Sequence, residues 1–167
     1  MSRDWSEPDW SREAPRGLWD PSRRLLGCIR AHQAAERTPL GALRRVRAKC
    51  GHWLWSLVTQ AEIGLGTRIG GGLLLPHPNG IVIHPEAEIG PNCLLFQQVT
   101  LGTRAGRDGA PRLGTHVDVG AGARILGPVA VGDHAVIGAN AVVLSDVPAG
   151  AMAVGVPARV LQGKDGK

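Results

Sequence analysis

From Ala61 to Val143 the chain repeats in sixes. Ile63, Ile69 and Leu75 form one aliphatic series. Ile83, Ile89, Leu95 and Leu101 form a second, and Leu113, Val119, Ile125, Val131, Ile137 and Val143 a third. Glycine follows the aliphatic residue directly at 64, 70, 90, 102, 114, 120, 132 and 138. A period of six fits neither a helix nor a plain alternating strand. It predicts a solenoid in which each hexad gives one short strand and one corner, the aliphatic side chain pointing inward and its small neighbour letting the backbone turn. One hexad cannot bury its own face, so stability must come from stacking coil upon coil. Two breaks interrupt the count. Between Leu75 and Ile83 the step is eight, so two extra residues enter around Pro76-His77-Pro78-Asn79. Between Leu101 and Leu113 lies TRAGRDGAPR, with no inward aliphatic at position 107, which reads as a loop thrown out of the coil. Interruptions of a regular scaffold are where local rules yield to function.

Ahead of the hexads the period changes. Leu25, Leu26 and Ile29, then Leu43, Val46, Leu54, Leu57 and Val58, recur at helical spacing. Thr38-Pro39 has the form of an N-cap followed by proline at the first helical position, so residues 20–58 are expected to hold two short helices around that break. Residues 1–19 alternate charges, proline and tryptophan without periodicity. They are expected to form a mobile tail, with Trp5, Trp10 and Trp19 as candidates for docking on a neighbour. The expected divisions are thus 1–19 tail, 20–58 helical segment, 59–161 solenoid and 162–167 C-terminal tail.

Composition supports a narrow, repetitive core. Gly is abundant at 24, Tyr is absent and Phe occurs once, so small aliphatic residues must fill the interior. The formal charge of +5 resides entirely in residues 1–60, which carry eleven Lys/Arg against six Asp/Glu; the remainder is balanced. No nucleic-acid module accompanies that charge, and none is expected as a partner. Its plainest reading is a solvated helix face, with peripheral contact of the Trp53- and Trp55-bearing segment with a membrane as the alternative. Cys28, Cys50 and Cys93 are odd in number and form no CxxC pair, as free thiols in a reducing compartment would be. The polar N-terminus has no secretion-signal character, and no apolar run reaches the roughly 18 residues of a membrane span. The expected location is cytoplasmic.

The segments IGGGLLLPHPNGIVI, QQVTLG, VGAGARILGPVAVGDHAVIGANAVVL and AVGVPARVL resemble the serine acetyltransferase family of hexapeptide acyltransferases, over about residues 61–161. That resemblance implies a mainly β fold, a left-handed parallel β-helix of triangular section, the known exception to the usual crossover hand. It implies a homotrimer with active sites in clefts between subunits, and acetyl-CoA as acyl donor. His77 matches the family's catalytic base. The chemistry suits imidazole, whose pKa lies near neutrality, because an alcohol needs its proton removed as it attacks a thioester. Glu62 falls where the family carries an acidic partner for this histidine, although Asp is commoner there. Gly102 and Thr103 match contacts to the pantetheine arm, Ala121 and Ala139 match later coil contacts, and Pro157 and Arg159 match the motif beside the adenine end. The structural demand of a solenoid for Gly and Ala at corners accounts for several of these residues equally well.

The match departs on the acceptor side. The family grips serine with an Asp directly before the catalytic His and an Arg-His pair in the extended loop. Here Pro76 stands in the first position, and Gly109 and Ala110 in the others. L-serine is therefore the family-default acceptor, with a sugar hydroxyl in exopolysaccharide synthesis as its rival; the short form also resembles the colanic acid acetyltransferases. His84 follows an inward aliphatic and reads as a corner residue. His116 and His134, eighteen residues apart, should stack on one corner as an exposed ladder. A metal-dependent hydratase on the same scaffold is the competing class, but the His-x4-His pair of β-helical carbonic anhydrases is missing, so no metal is expected.

Overall fold

The computed structural model describes residues 5–35 and 40–161. Helix α1 spans Pro21–Ala35 and α2 spans Gly41–Thr59, as the spacing predicts; the Thr38-Pro39 cap lies outside the described residues. From Glu62 onward short strands wind into a parallel β-helix with three faces. The first face stacks Glu62–Ile63, Val82–Ile83, Thr100–Gly102, Arg124–Leu126 and Val142–Val143. The second stacks Arg68–Ile69, Glu88–Ile89, Arg112–Leu113 and Ala130–Val131. The third stacks Leu94–Leu95, Asp118–Val119, Val136–Ile137 and Met152–Gly155, and closes with Ala158–Leu161 paired antiparallel.

The register shows why the hexad works. Ile63 pairs with Ile83, Ile83 with Leu101, Leu101 with Ile125, and Val143 with Ile125, so one column of aliphatics runs up the first face. Equivalent columns join Ile69, Ile89, Leu113 and Val131, and Leu95, Val119, Ile137 and Ala153. All are buried. Each such side chain removed from water is worth roughly 1.5–3 kcal/mol. A second inward position lies two residues earlier, at the corners, where Ile81, Ala87, Cys93, Val99, Val117 and Ala123 are fully buried. Corners crossed in left-handed backbone recur in register: Asn92, His116 and His134 have φ of 61°, 54° and 59°. The last coil is shorter than the rest, because Val131 bridges to Val147.

A β-helix ends in a rung of unpaired peptide groups, which must be covered. Here the helices do it. His52 Nε2 donates to the Ile63 carbonyl at 2.7 Å, and Gln33 Nε2 to Thr67 O at 3.0 Å. Arg30 donates to Ile69 O at 2.6 Å and Gly70 O at 2.7 Å while forming a two-pronged pair with Glu13. Glu13 in turn accepts the Gly72 and Leu73 amides at 2.8 and 3.1 Å.

One expectation needs amending, and one face that the helical spacing left unassigned is placed. Residues 5–20, read from sequence only as part of a tail, make defined contacts with their own solenoid. Asn92 is the clamp: its amide donates to Trp5 O and Glu7 O, both at 2.8 Å, and accepts from Asp9 N at 2.8 Å. Trp5 stacks on His116 with ring centroids 3.9 Å apart, and Trp10 lies under the Arg30 guanidinium. The apolar face of α2 is also not core. Leu43, Val46, Leu54, Leu57 and Val58 are exposed, whereas Leu25, Leu26 and Ile29 of α1 are buried.

Candidate functional site

The first interruption, Pro76–Asn79, forms the corner between the third and first faces. Leu75 and Ile81, both buried, hold its two ends. Gly80, at φ +68°, donates to Gln60 O at 3.0 Å, and Gln98 N donates to Asn79 O at 2.9 Å, so the kink is tied to the coils before and after it. His77 projects from this kink and is exposed. No hydrogen bond engages its ring among the described residues. In the same kink Asn79 Nδ2 donates to Gln60 Oε1.

The same edge continues up the solenoid. Gly122 N donates to Gln97 O at 2.9 Å and Asn140 N to Ala121 O at 2.8 Å, which stacks the corners holding Asn79, Gln97, Ala121 and Ala139 on consecutive coils. Rungs lie ~4.8 Å apart, so Ala121 sits roughly 10 Å and Ala139 roughly 15 Å along the edge from the kink. Gly138 N bonds to Ala153 O, and this register carries the edge on to the turn after Gly155 that holds Pro157. Arg159 pairs with Val154 across the closing hairpin and is exposed. His77, Gln97, Ala121, Ala139 and Pro157 therefore share one edge, with small side chains at Ala121 and Ala139.

Gly102 and Thr103 lie elsewhere, at the far end of the first face, where Gly102 O accepts from Gly127 N at 2.9 Å. The second interruption begins there and turns back at Arg104 and Arg107, exposed as a loop outside the coil. Gly109 takes φ +110°, and Ala110 is buried, so neither offers a charged group to a ligand. Glu62 stands on the first strand of the first face, pointing outward. Among the described residues no hydrogen bond or ion pair joins it to His77. It lines a cavity of about 450 Å³ beneath α2 with His52, Trp53, Ser56, Gln60 and Pro85. The sequence reading missed this cavity. Its signal was the run of Trp53 and Leu57 leading directly into the first hexad.

The remaining histidines of the solenoid, His84, His116 and His134, behave as corners. His84 Nδ1 accepts from Glu86 N at 3.3 Å, a local turn contact that leaves the proton on Nε2. His116 and His134 meet through Nδ1 atoms 3.2 Å apart, the ladder expected from their spacing. Burial, partly beneath Trp5, together with the neighbouring His134 and Arg12, pulls the His116 pKa below its ordinary value, against an opposing pull from Asp118. Cys28, Cys50 and Cys93 are free thiols.

The hexad solenoid, the kink with its exposed histidine and the closing hairpin define a hexapeptide-repeat β-helix with a helical cap. No family model matches the chain. It is 38% identical over 155 residues to a serine acetyltransferase of Helicobacter pylori strain J99, covering 89% of this chain and 88% of that one. It is 44% identical over 107 residues to a serine acetyltransferase of Synechococcus elongatus, there covering 63% of this chain and 44% of the relative. Among solved structures, a serine acetyltransferase from Brucella abortus strain S19 in complex with coenzyme A superposes with a TM-score of 0.74 at 32% identity, over 87% of this chain and 57% of that one. The chain belongs to the serine acetyltransferase family. It spans about half the length of several of its curated relatives, 44% and 53% for the Synechococcus and Escherichia coli K12 proteins.

Proposed function

We propose that this protein is an acetyl-CoA-dependent O-acetyltransferase in which His77 is the general base. The observation that carries the reading is the placement of His77. It is exposed, without a hydrogen-bond partner among the described residues, and projects from a two-residue insertion at the end of the edge that holds Ala121 and Ala139. A thin extended thioester can approach such an edge closely. Its carbonyl carbon would be held at the kink while Ala121 and Ala139 leave room for the pantetheine arm. Imidazole removes the proton of the acceptor hydroxyl as its oxygen attacks the thioester carbonyl. The tetrahedral intermediate collapses, the C–S bond breaks, and the imidazolium returns the proton to the departing CoA thiolate. A positioned base of this kind is worth about 10²–10⁴-fold. Glu62 is the carboxylate proposed to orient the ring, and Gly102, Thr103, Pro157 and Arg159 the further CoA contacts, Arg159 for a phosphate.

In one chain, Gly102 and Thr103 occupy the opposite end of the first face from His77. A site using both sets needs an edge from one subunit facing a face of another, which is the reason to propose a homotrimer. L-serine is the acceptor carried by the names of the relatives. A sugar hydroxyl is the second reading. It is favoured by the uncharged acceptor-side positions: Pro76 stands directly before His77, and Gly109 and Ala110 carry no cation. An acceptor panel separates the two: CoA thiol release is followed with L-serine, homoserine and neutral sugars. Turnover with serine alone supports the first acceptor, turnover with sugars alone the second, and none with any hydroxyl acceptor defeats the proposed activity.

A further inference from the structure

One side of α2 is an apolar arc that is open to solvent along Leu43, Val46 and Leu54 and borders the Glu62 cavity at Trp53 and Leu57. At about 100° per residue, Val46, Cys50, Leu43, Trp53, Leu54 and Leu57 fall within an arc of about 100°, centred opposite the side that Ala48, Trp55 and Thr59 turn to the body. Leu43 is 71% exposed and Trp53 67%. Monomeric surfaces rarely present so continuous an apolar stripe without a partner for it. Its flanks are cationic: Arg47 and Lys49 border the arc on either side and are exposed, exposed Arg44 and Arg45 lie further round, and the helix carries no acidic residue.

We infer that α2 lies flat on an anionic lipid surface, its apolar arc at the level of the acyl boundary and its flanking Arg47 and Lys49 among the headgroups. The charge pattern selects this occupant. A second copy of the helix seated on the same arc would bring these two cations against their own copies, with no carboxylate on either helix to pair them. An anionic headgroup layer neutralises both. An amphipathic helix of 19 residues with Trp and Leu on one side and Arg and Lys beside them suits an interfacial position. It does not suit a membrane span, and no helix among the described residues is long and apolar enough to cross a bilayer. This inference does not depend on the acetyl acceptor.

The test is co-sedimentation of the full chain with vesicles of phosphatidylglycerol and phosphatidylcholine in equal parts, against vesicles of phosphatidylcholine alone. Binding is expected to the anionic vesicles only and should weaken as salt screens the charges. Neutralising the two flanking cations, Arg47→Gln with Lys49→Gln, should weaken binding about 25-fold, about fivefold per cation. Leu43→Ser with Val46→Ser should abolish it while leaving thermal unfolding unchanged, because both side chains are already in water. Equal binding to both vesicle types, or none to the anionic ones, overturns the inference. So does a Leu43→Ser/Val46→Ser protein that changes its oligomeric mass yet still sediments with anionic vesicles, since a second copy would then be what covers this face.

Discussion

Gly90 sits at the corner between the second and third faces, where one coil passes closest to the next. A Cβ built there would lie 2.5 Å from the carbonyl carbon of Gly114, nearly on its oxygen, and 3.0 Å from Thr115 N. Carbon–carbon contacts are comfortable at about 3.5–4.0 Å, so Gly90→Ala must push two coils about 1 Å apart. The obstacle is backbone and cannot swing aside. Overpacking of this kind costs ~1–3 kcal/mol. The Gly90 N to Leu113 O hydrogen bond, 2.9 Å in the native corner, must lengthen as well, at ~0.5–1.5 kcal/mol. The sum is about 3 kcal/mol, or about 6–12 °C in Tm for a chain of this size. Gly66→Ala is the control. Nothing lies within 4 Å of its added methyl and its backbone is not left-handed. It should leave stability unchanged or raise it by ~0.4–1 kcal/mol, because the unfolded chain loses freedom. Both variants are followed by calorimetry or far-UV circular dichroism. A Gly90→Ala protein as stable as Gly66→Ala would show that coil contact is not what holds glycine after the inward aliphatic.

Other consequences are as direct. Asn92→Ala removes three hydrogen bonds to the N-terminal segment and leaves a methyl residue at φ 61°. It should cost about 3 kcal/mol in denaturant unfolding and open the peptide bonds between Trp5 and Arg12 to limited proteolysis. Burial pushes the Cys93 thiol up to about 11, and its Sγ donates to Gly114 O at 3.2 Å. A thiol reagent should therefore modify exposed Cys50 in the native protein and Cys93 only after unfolding. His116, with its pKa held below the usual 6.5, stays neutral more readily folded than unfolded. Its contribution to stability is thus full above about pH 6.5 and is lost as pH falls from there through the lowered value. Thermal unfolding between about pH 7 and about pH 5 should show this loss, diminished in His116→Asn, which keeps a residue tolerant of φ 54°.

The hexad made the solenoid legible because an inward aliphatic at a fixed step leaves a trace in any single sequence. The trace also gave the phase, so the added residues at Pro76–Asn79 and the loop after Gly102 stood out as departures from it. Contacts without a period left no such trace. Nothing in MSRDWSEPDWSREAPRG announced that Asn92 would clamp Trp5, Glu7 and Asp9, because that clamp depends on one buried amide 83 to 87 residues further along the chain. The helical spacing of Leu43, Val46, Leu54 and Leu57 was read correctly as a face, but spacing does not say what covers a face, and here the body of the protein does not. The shortened last coil escaped because Val147, four residues after Val143, sits off the six-residue count. The site was legible as a position, His77 in its kink. Its relation to Glu62 was not, since a carboxylate fifteen residues away reaches the ring only if the geometry of the coils brings it there.

The central claim is that His77 removes the acceptor's proton. CoA thiol release by His77→Ala, measured with the best acceptor of the panel and with CoA binding checked separately, tests it most directly. The account predicts a fall in turnover of about 10²–10⁴-fold with CoA still bound, because the base is lost while the edge that holds Ala121 and Ala139 remains. Turnover at the wild-type rate would contradict it.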